Sequence, residues 1–567
     1  MLRGFHMHDL VIRAGNVVDG SGHPARTADV SIAEGRIVDI GPNVGPGRQE
    51  LDADGLLVTP GWVDIHSHYD GQTLWDPVLQ SASHGVTTVV MGNCGVGFAP
   101  VRPADRGWTV ALMEGVEDIP AAVLEEGLSW RWESFPEYLD ALDSVPHAIN
   151  VAAQIPHAPL RVFAMGERGI DHSEDPTEDE VHMMGRLAAE AIEAGALGFS
   201  TSRSKNHKAS DGRITPSYSA GHTELLGIAE AIGSTGKGVF EMNVENSDVD
   251  AELALMRRIS GVSGRPLSAA LLQRPGQPLG NFRRVLEGFE VAARDGLSLW
   301  GQVAPRPTGL LVTLRCRLNP LLASPTFQDL ARADKLTLPI EMKRSEVREK
   351  VLSELTGEGD MISRFRYAFE LGDPPRYDQD PTESLVDRAS AAGVLVQEIA
   401  YDILAAEGIV YVAVSNYEEG HLRAAREMLL HPFTVPGLSD GGAHCTLVAD
   451  FDYPTFLLSY WTRDAPADLR LPVEWAIKRQ CADTARLVGL DDRGVLAPGK
   501  RADINLIDLS AVGSTYPTII DDLPGGGSRF VGRGTGYVAT IVGGCVSFED
   551  GCHNGTMAGG LVRGGKL

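Results

Sequence analysis

Long apolar runs are missing from this chain. No stretch approaches the roughly 18–20 residues needed to cross a bilayer, and Met1-Leu2-Arg3-Gly4-Phe5-His6 has no signal-peptide apolar core. These absences argue against a membrane span and set the expectation of a cytoplasmic protein. Cysteine is sparse, and Cys94, Cys316, Cys445, Cys481, Cys545 and Cys552 follow no framework spacing, so they are expected as free thiols. Positive charge is in deficit: the formal charge of −26 disfavours nucleic acid and anionic membranes as partners. Neither an internal repeat nor a low-complexity tract stands out. What remains is an ordinary globular composition, 43% hydrophobic over 567 residues, long enough for one large enzyme domain and a smaller one.

The densest information lies in Thr59-Pro60-Gly61-Trp62-Val63-Asp64-Ile65-His66-Ser67-His68-Tyr69-Asp70-Gly71. Val63, Ile65 and the apolar residues before Pro60 read as a short buried strand that delivers His66 and His68 just past its end. Side chains at i and i+2 of a strand point the same way. Two imidazoles on one side of a strand end can therefore share a divalent metal. A bare His-x-His is weak among 16 histidines; inside Pro-Gly-x-x-Asp-x-His-x-His-x-Asp it is specific.

Residues 8–58 alternate β-branched and apolar residues with Gly, Asp and Asn turns, and Asp503–Asp508 and Val538–Gly544 repeat the style. The economical assembly is a small β-sandwich built from both termini, 1–59 and 498–567. A catalytic domain over 60–497 is inserted between them. Its strand candidates are Val86–Met91, Ile149–Ala153, Gly198–Ser200, Gly238–Met242, Leu267–Leu272, Leu297–Val303, Ile409–Val414 and Thr434–Leu438, with helical patterns such as Asp179–Ala194 between them. That alternation argues for parallel βαβ units and an α/β fold, a (β/α)8 TIM barrel. The stretch from about 305 to 390, rich in Pro, Arg and Asp, reads as an insertion near the barrel mouth.

The first motif resembles the amidohydrolase superfamily, and the chain is most similar to its D-aminoacylase (N-acyl-D-amino-acid deacylase) branch. The supporting residues are Gly85–Gly95 with Cys94, Glu117-Asp118-Ile119-Pro120, Phe135–Leu139, Gly195–Thr201, Ser439-Asp440-Gly441 and Gly499–Asp503. The resemblance implies a composite sandwich around a barrel, with His66 and His68 ending strand one, Cys94 ending strand two and Asp440 ending strand eight. Zinc accepts such N, S and O donors and lowers the pKa of bound water to about 7. Asp440 is the implied general base, taking a proton from the attacking water and returning it to the leaving nitrogen. Asp64 is expected to brace the turn, and Asp503 to belong to the sandwich.

The branch also carries histidines at the ends of strands five and six, which this chain lacks. Strand five reads Val239–Glu245 and strand six Leu267–Gln273. One metal on His66, His68 and Asp440, with Cys94 nearby, is the favoured arrangement; two metals are not excluded, with His207 or His444 as substitute ligands and Glu241, Asn243 or Glu245 as further oxygen donors. The expected carboxylate-binding lysine and arginine have no counterpart in place. Gln273 lies near the first, and Arg203, Lys205, Arg306 and Arg463 are the available cations. The expectation is thus a zinc-dependent hydrolase of amide C–N bonds in a small-molecule substrate, foremost an N-acyl-(D-)amino acid. A cyclic amide, imide or lactam hydrolase is the first alternative, and a non-catalytic ligand-binding barrel the second. Oligomeric state is left open, a homo-oligomer included.

Overall fold

The computed structural model of the chain describes residues 7–564 except 275–276, 279, 356–365, 418–419 and 421. The two ends of the chain build one nine-stranded sheet. Strand β1 (His8–Val17) pairs antiparallel with β2 (Arg26–Ala33), which pairs with β3 (Arg36–Gly41). Strands β4 (Gly47–Asp52) and β5 (Leu57–Pro60) run parallel to β1. On the other side of β5 lies Ile504–Ile507, followed by Tyr537–Val542, Cys545–Glu549 and Cys552–His553. Alternation makes this possible: Leu10, Ile12, Val30 and Ile32 point to one core with Ile504, Leu506 and Ile541 from the far end of the sequence.

Between these ends runs a succession of parallel strands: β6 (Trp62–Asp64), β7 (Val86–Met91) and β8 (Asn150–Ala153), in that order. The chain continues past Gln154 into β9 (Ile155–Pro156), which starts a second ladder with β10 (Gly198–Ser202), β11 (Val239–Asn243), β12 (Leu267–Ala270) and β13 (Leu299–Val303). The last partner is β17 (Thr434–Pro436), and the ring closes beyond the strand ends. His68 N donates to Gly441 O at 2.7 Å, and Asp440 N donates to His66 O at 3.2 Å. The parallel ladders β6–β8 and β9–β17 follow one another in the order expected of a (β/α)8 barrel, a fold whose reactive end is the C-terminal rim. Glycine is required at the closure: a Cβ on Gly442, at φ +93°, would lie 2.9 Å from the His68 carbonyl carbon.

One expected barrel strand belongs elsewhere. Ile409–Val414 was expected among the parallel series, but β16 (Val410–Ala413) is the central strand of an antiparallel sheet with β14 (Gly309–Val312) and β15 (Ala368–Glu370). A strand covered on both faces has the same unbroken apolar run in a barrel or in a side module, and only its partners tell them apart. This module leaves the chain after β13, at the C-terminal rim. It carries its own core of residues such as Leu321, Phe327, Leu404 and Val412.

Candidate functional site

His66 and His68 leave the end of β6 with buried side chains and their Nε2 atoms turned to one cavity. His66 Nε2 lies 3.3 Å from Asp440 Oδ1 and 3.5 Å from Cys94 Sγ, and His68 Nε2 lies 3.6 Å from the same Asp440 oxygen. Ligand atoms of His66, His68 and Cys94 all lie within 4.8 Å of one another. Two donors about 2.0–2.3 Å from one tetrahedral zinc are separated by roughly 3.3–3.6 Å. The His66–Cys94 separation and the approach of both imidazoles to Asp440 match that spacing.

Backbone and buried neighbours hold the set in place. Asp64 accepts from His66 N at 3.1 Å and from Ser439 Oγ at 2.5 Å, tying the ends of β6 and β17 together. His66 Nδ1 lies 2.8 Å from Gln302 Oε1, whose amide nitrogen donates to Ser268 Oγ at 2.9 Å. An amide oxygen only accepts, so the proton of His66 sits on Nδ1 and its Nε2 faces the cavity bare. Cys94, Asp440 and His444 all have positive φ, at 56°, 48° and 49°. Non-glycine residues rarely take that conformation, and such strain gathers where a site over-determines the backbone.

Electrostatics point the same way. Burial pushes Asp64 and Asp70 up to about 6, Glu117 to about 7 and Glu241 to about 8. Burial, with Glu241 nearby, also drives the Cys94 thiol well above its usual range. Burial lowers His66 to about 4. For His68 burial works downward too, yet Glu117 and Asp440 outweigh it and raise the imidazole to about 9. Asp440 is held below the usual carboxylate range: burial opposes this, but the His68 contact and both imidazoles prevail. Acidic groups thus crowd a desolvated space holding few cations, an arrangement a bound divalent ion would relieve.

The other expected residues divide. Asn243, His207 and His444 line the same cavity, whose volume is about 210 Å³. Asn243 Nδ2 lies 3.5 Å from Cys94 Sγ and 3.0 Å from His207 Nε2, while His207 Nδ1 meets Ser202 Oγ at 2.9 Å. With both ring nitrogens hydrogen-bonded, His207 lies beside the cluster of His66, His68 and Cys94 and is not part of it. His444 Nε2 lies 4.0 Å from Glu117 Oε2 and also stays outside it. Gln273 turns away to the Arg274 and Gln277 carbonyls, and Arg203 to the Ala220 carbonyl. Neither lines the cavity. Arg306 is buried against Asp450 and Asp452 at 2.8 and 2.9 Å, so its charge is already matched.

Three ionisable cavity residues, Glu117, Arg274 and Asp450, were absent from the expected site. Glu117 closes helix α1 (Arg106–Glu117) and faces His68 Nδ1 at 3.4 Å. An acidic residue at a helix C-terminus opposes the helix dipole, and that marks it in the sequence together with its place in the segment Glu117–Pro120. Arg274 follows β12 and is the one arginine or lysine lining the cavity among the described residues. Its longest-reaching contact is a 3.5 Å approach to the Val244 carbonyl, and burial lowers its pKa.

Comparison with known proteins completes the picture. The profile described as amidohydrolase family matches residues 49–313 and 375–548. An N-acyl-D-glutamate deacylase of Alcaligenes xylosoxydans xylosoxydans is 28% identical over 511 residues, covering 89% of this chain and 88% of its own. A D-aminoacylase of that organism is 33% identical over 297 residues, 51% of this chain. Among solved structures, a D-aminoacylase superposes with a TM-score of 0.67 at 23% identity, over 98% of this chain and all of its own. The N-acyl-D-glutamate deacylase of Bordetella bronchiseptica, complexed with zinc and a phosphonate mimic of the tetrahedral intermediate, gives 0.66 at 25% over 98% of this chain and all of its own.

Proposed function

The chain belongs to the amidohydrolase family, as a metal-dependent hydrolase of C–N bonds other than peptide bonds, and from that premise we propose that it deacylates N-acyl-amino acids, with the D configuration the first to test. The carrying observation is the clustering of His66, His68 and Cys94 ligand atoms within 4.8 Å of one another in one cavity, with Asp440 3.3 and 3.6 Å from the two imidazoles. His66, His68 and Cys94, whose ligand atoms cluster, would hold one metal, in place of the set of His66, His68 and Asp440 favoured from the sequence. Zinc is the proposed ion, in line with the donor set and with the zinc-bound relative. When bound, zinc lowers the pKa of water to about 7 and polarises a carbonyl.

The rest falls to the protein's own groups. Asp440, quarter-exposed and kept ionised, is placed to take a proton from the attacking water and pass it to the leaving nitrogen. Arg274 supplies the cation that an acyl-amino-acid carboxylate needs, through charge-assisted hydrogen bonds. That observation favours the acyl-amino-acid reading over a cyclic amide, which has no free carboxylate to match. Hydrolytic membership leaves no ground for a non-catalytic barrel.

The test is a substrate panel on metal-loaded protein: N-acyl-D- and N-acyl-L-amino acids against hydantoins and lactams, followed by release of the free amine or ring-opened acid. Turnover of N-acyl-amino acids supports the reading. Turnover confined to ring substrates would overturn it.

A further inference from the structure

Both metal-side histidines present Nε2 to the cavity, and each has something different behind it. Behind His66 stands a neutral acceptor, Gln302 Oε1, at 2.8 Å from Nδ1. Behind His68 stands a carboxylate, Glu117 Oε1, at 3.4 Å from Nδ1. His68 Nδ1 is buried and makes no aligned hydrogen bond. The Glu117 side chain is 3% exposed, and no donor among the described residues hydrogen-bonds its carboxylate. A buried imidazole nitrogen without a hydrogen bond, facing a buried carboxylate whose other neighbour, His444 Nε2, stands 4.0 Å off, is costly unless the two serve each other. Glu117 is expensive to keep where it is, at the negative end of its own helix. Hydrogen bonds of this kind are often long in a free enzyme and tighten in the loaded one.

We propose that Glu117 is the positioning residue of His68, accepting its Nδ1–H so that the Nε2 lone pair is fixed toward the metal side of the cavity. Histidine ligands commonly give their second N–H to a carboxylate, which sets the tautomer and raises the basicity of the ligating nitrogen. The two histidines are then unequal. His66 is oriented by a neutral amide and His68 by an anion, so His68 is the stronger donor. The segment after β7 that carries α1 thereby becomes part of the site, and the Glu117 carbonyl also accepts from His444 N.

The inference rests on the metal site proposed above, and its test separates the two. Zinc affinity is measured by competition with a chromophoric chelator for the wild type, Glu117→Gln and Glu117→Asp. The melting temperature of each metal-free protein is recorded alongside. The expected result is a 10–100-fold loss of affinity in Glu117→Gln, with the metal-free protein as stable as the wild type, and partial recovery in Glu117→Asp. Wild-type affinity in Glu117→Gln would overturn the positioning role while leaving the metal site intact. Loss of affinity that tracks loss of metal-free stability in both variants would overturn it as well, assigning Glu117 to the fold. No zinc binding by the wild type would instead bring down the site proposal beneath it.

Discussion

His66 Nε2 lies 3.3 Å from Asp440 Oδ1, although the two residues come from the first and last strands of the ring. The Asp440 N–H donates to the His66 carbonyl at 3.2 Å, so backbone and side chains join the same pair. With the Asp440 carboxylate as proton acceptor, Asp440→Asn is expected to lower kcat by about 10²–10⁴-fold while metal content stays at the wild-type level. Steady-state kinetics on protein of known metal stoichiometry decides this. Equal loss of metal and activity would make Asp440 a ligand instead of a base.

Arg274 is expected to act on substrate binding. Replacing it with Gln should raise KM for an N-acyl-amino acid by roughly 10–100-fold with kcat changed far less, since a charge-assisted contact to a remote carboxylate is made in ground and transition states alike. The carboxamide analogue of the same substrate should show no difference between wild type and variant. A fall in kcat with KM constant would refute the assignment.

Ser439→Ala tests the tie between strand ends. It strips the buried Asp64 carboxylate of a 2.5 Å partner, and a loss of about 1–3 kcal/mol is expected in urea unfolding. A variant within a few tenths of the wild type would show that Asp64 is satisfied without it.

His84 should make stability pH-dependent from outside the site. Burial lowers its pKa from 6.5 to about 4, and Nδ1 meets Thr455 Oγ1 at 2.9 Å. Between those values the unfolded chain binds a proton that the folded chain excludes. The contribution is thus complete above 6.5 and is lost as pH falls toward 4, roughly 3 kcal/mol in all. Denaturant midpoints of wild type and His84→Gln from pH 7.5 to 4 should converge by that order on acidification. Parallel curves would show that His84 binds protons equally in the folded and unfolded chains.

The parts of this protein that were legible in its sequence are those whose information is local. His66 and His68 could be placed on one side of a strand end because the two-residue period of a strand is fixed by covalent geometry. Alternation at both ends of the chain suggested a shared β-sandwich, and strands from both ends do join one nine-stranded sheet with Leu10 and Ile504 in one core. Pairing is not local, and β16 illustrates the cost: Val410–Ala413 is as apolar as a barrel strand, and only its antiparallel neighbours Leu310–Leu311 and Phe369 reveal its place. Glu117 and Arg274 were hidden for a related reason. Glu117 opens the segment Glu117–Pro120 without a sign of its role there, Arg274 follows β12 with no motif of its own, and each reaches the cavity only through the packing of α1 and the course of the chain after β12. Their neighbours Asp118 and Gln273 do not line the cavity, so sequence proximity to a motif was an unreliable guide.

The most direct test of the account is metal content per chain, by elemental analysis of protein purified without chelator, for the wild type and for His66→Ala/His68→Ala. The account predicts close to one zinc per chain in the wild type and none in the double variant. Metal absent from both proteins, or retained by the variant at the wild-type level, would contradict it.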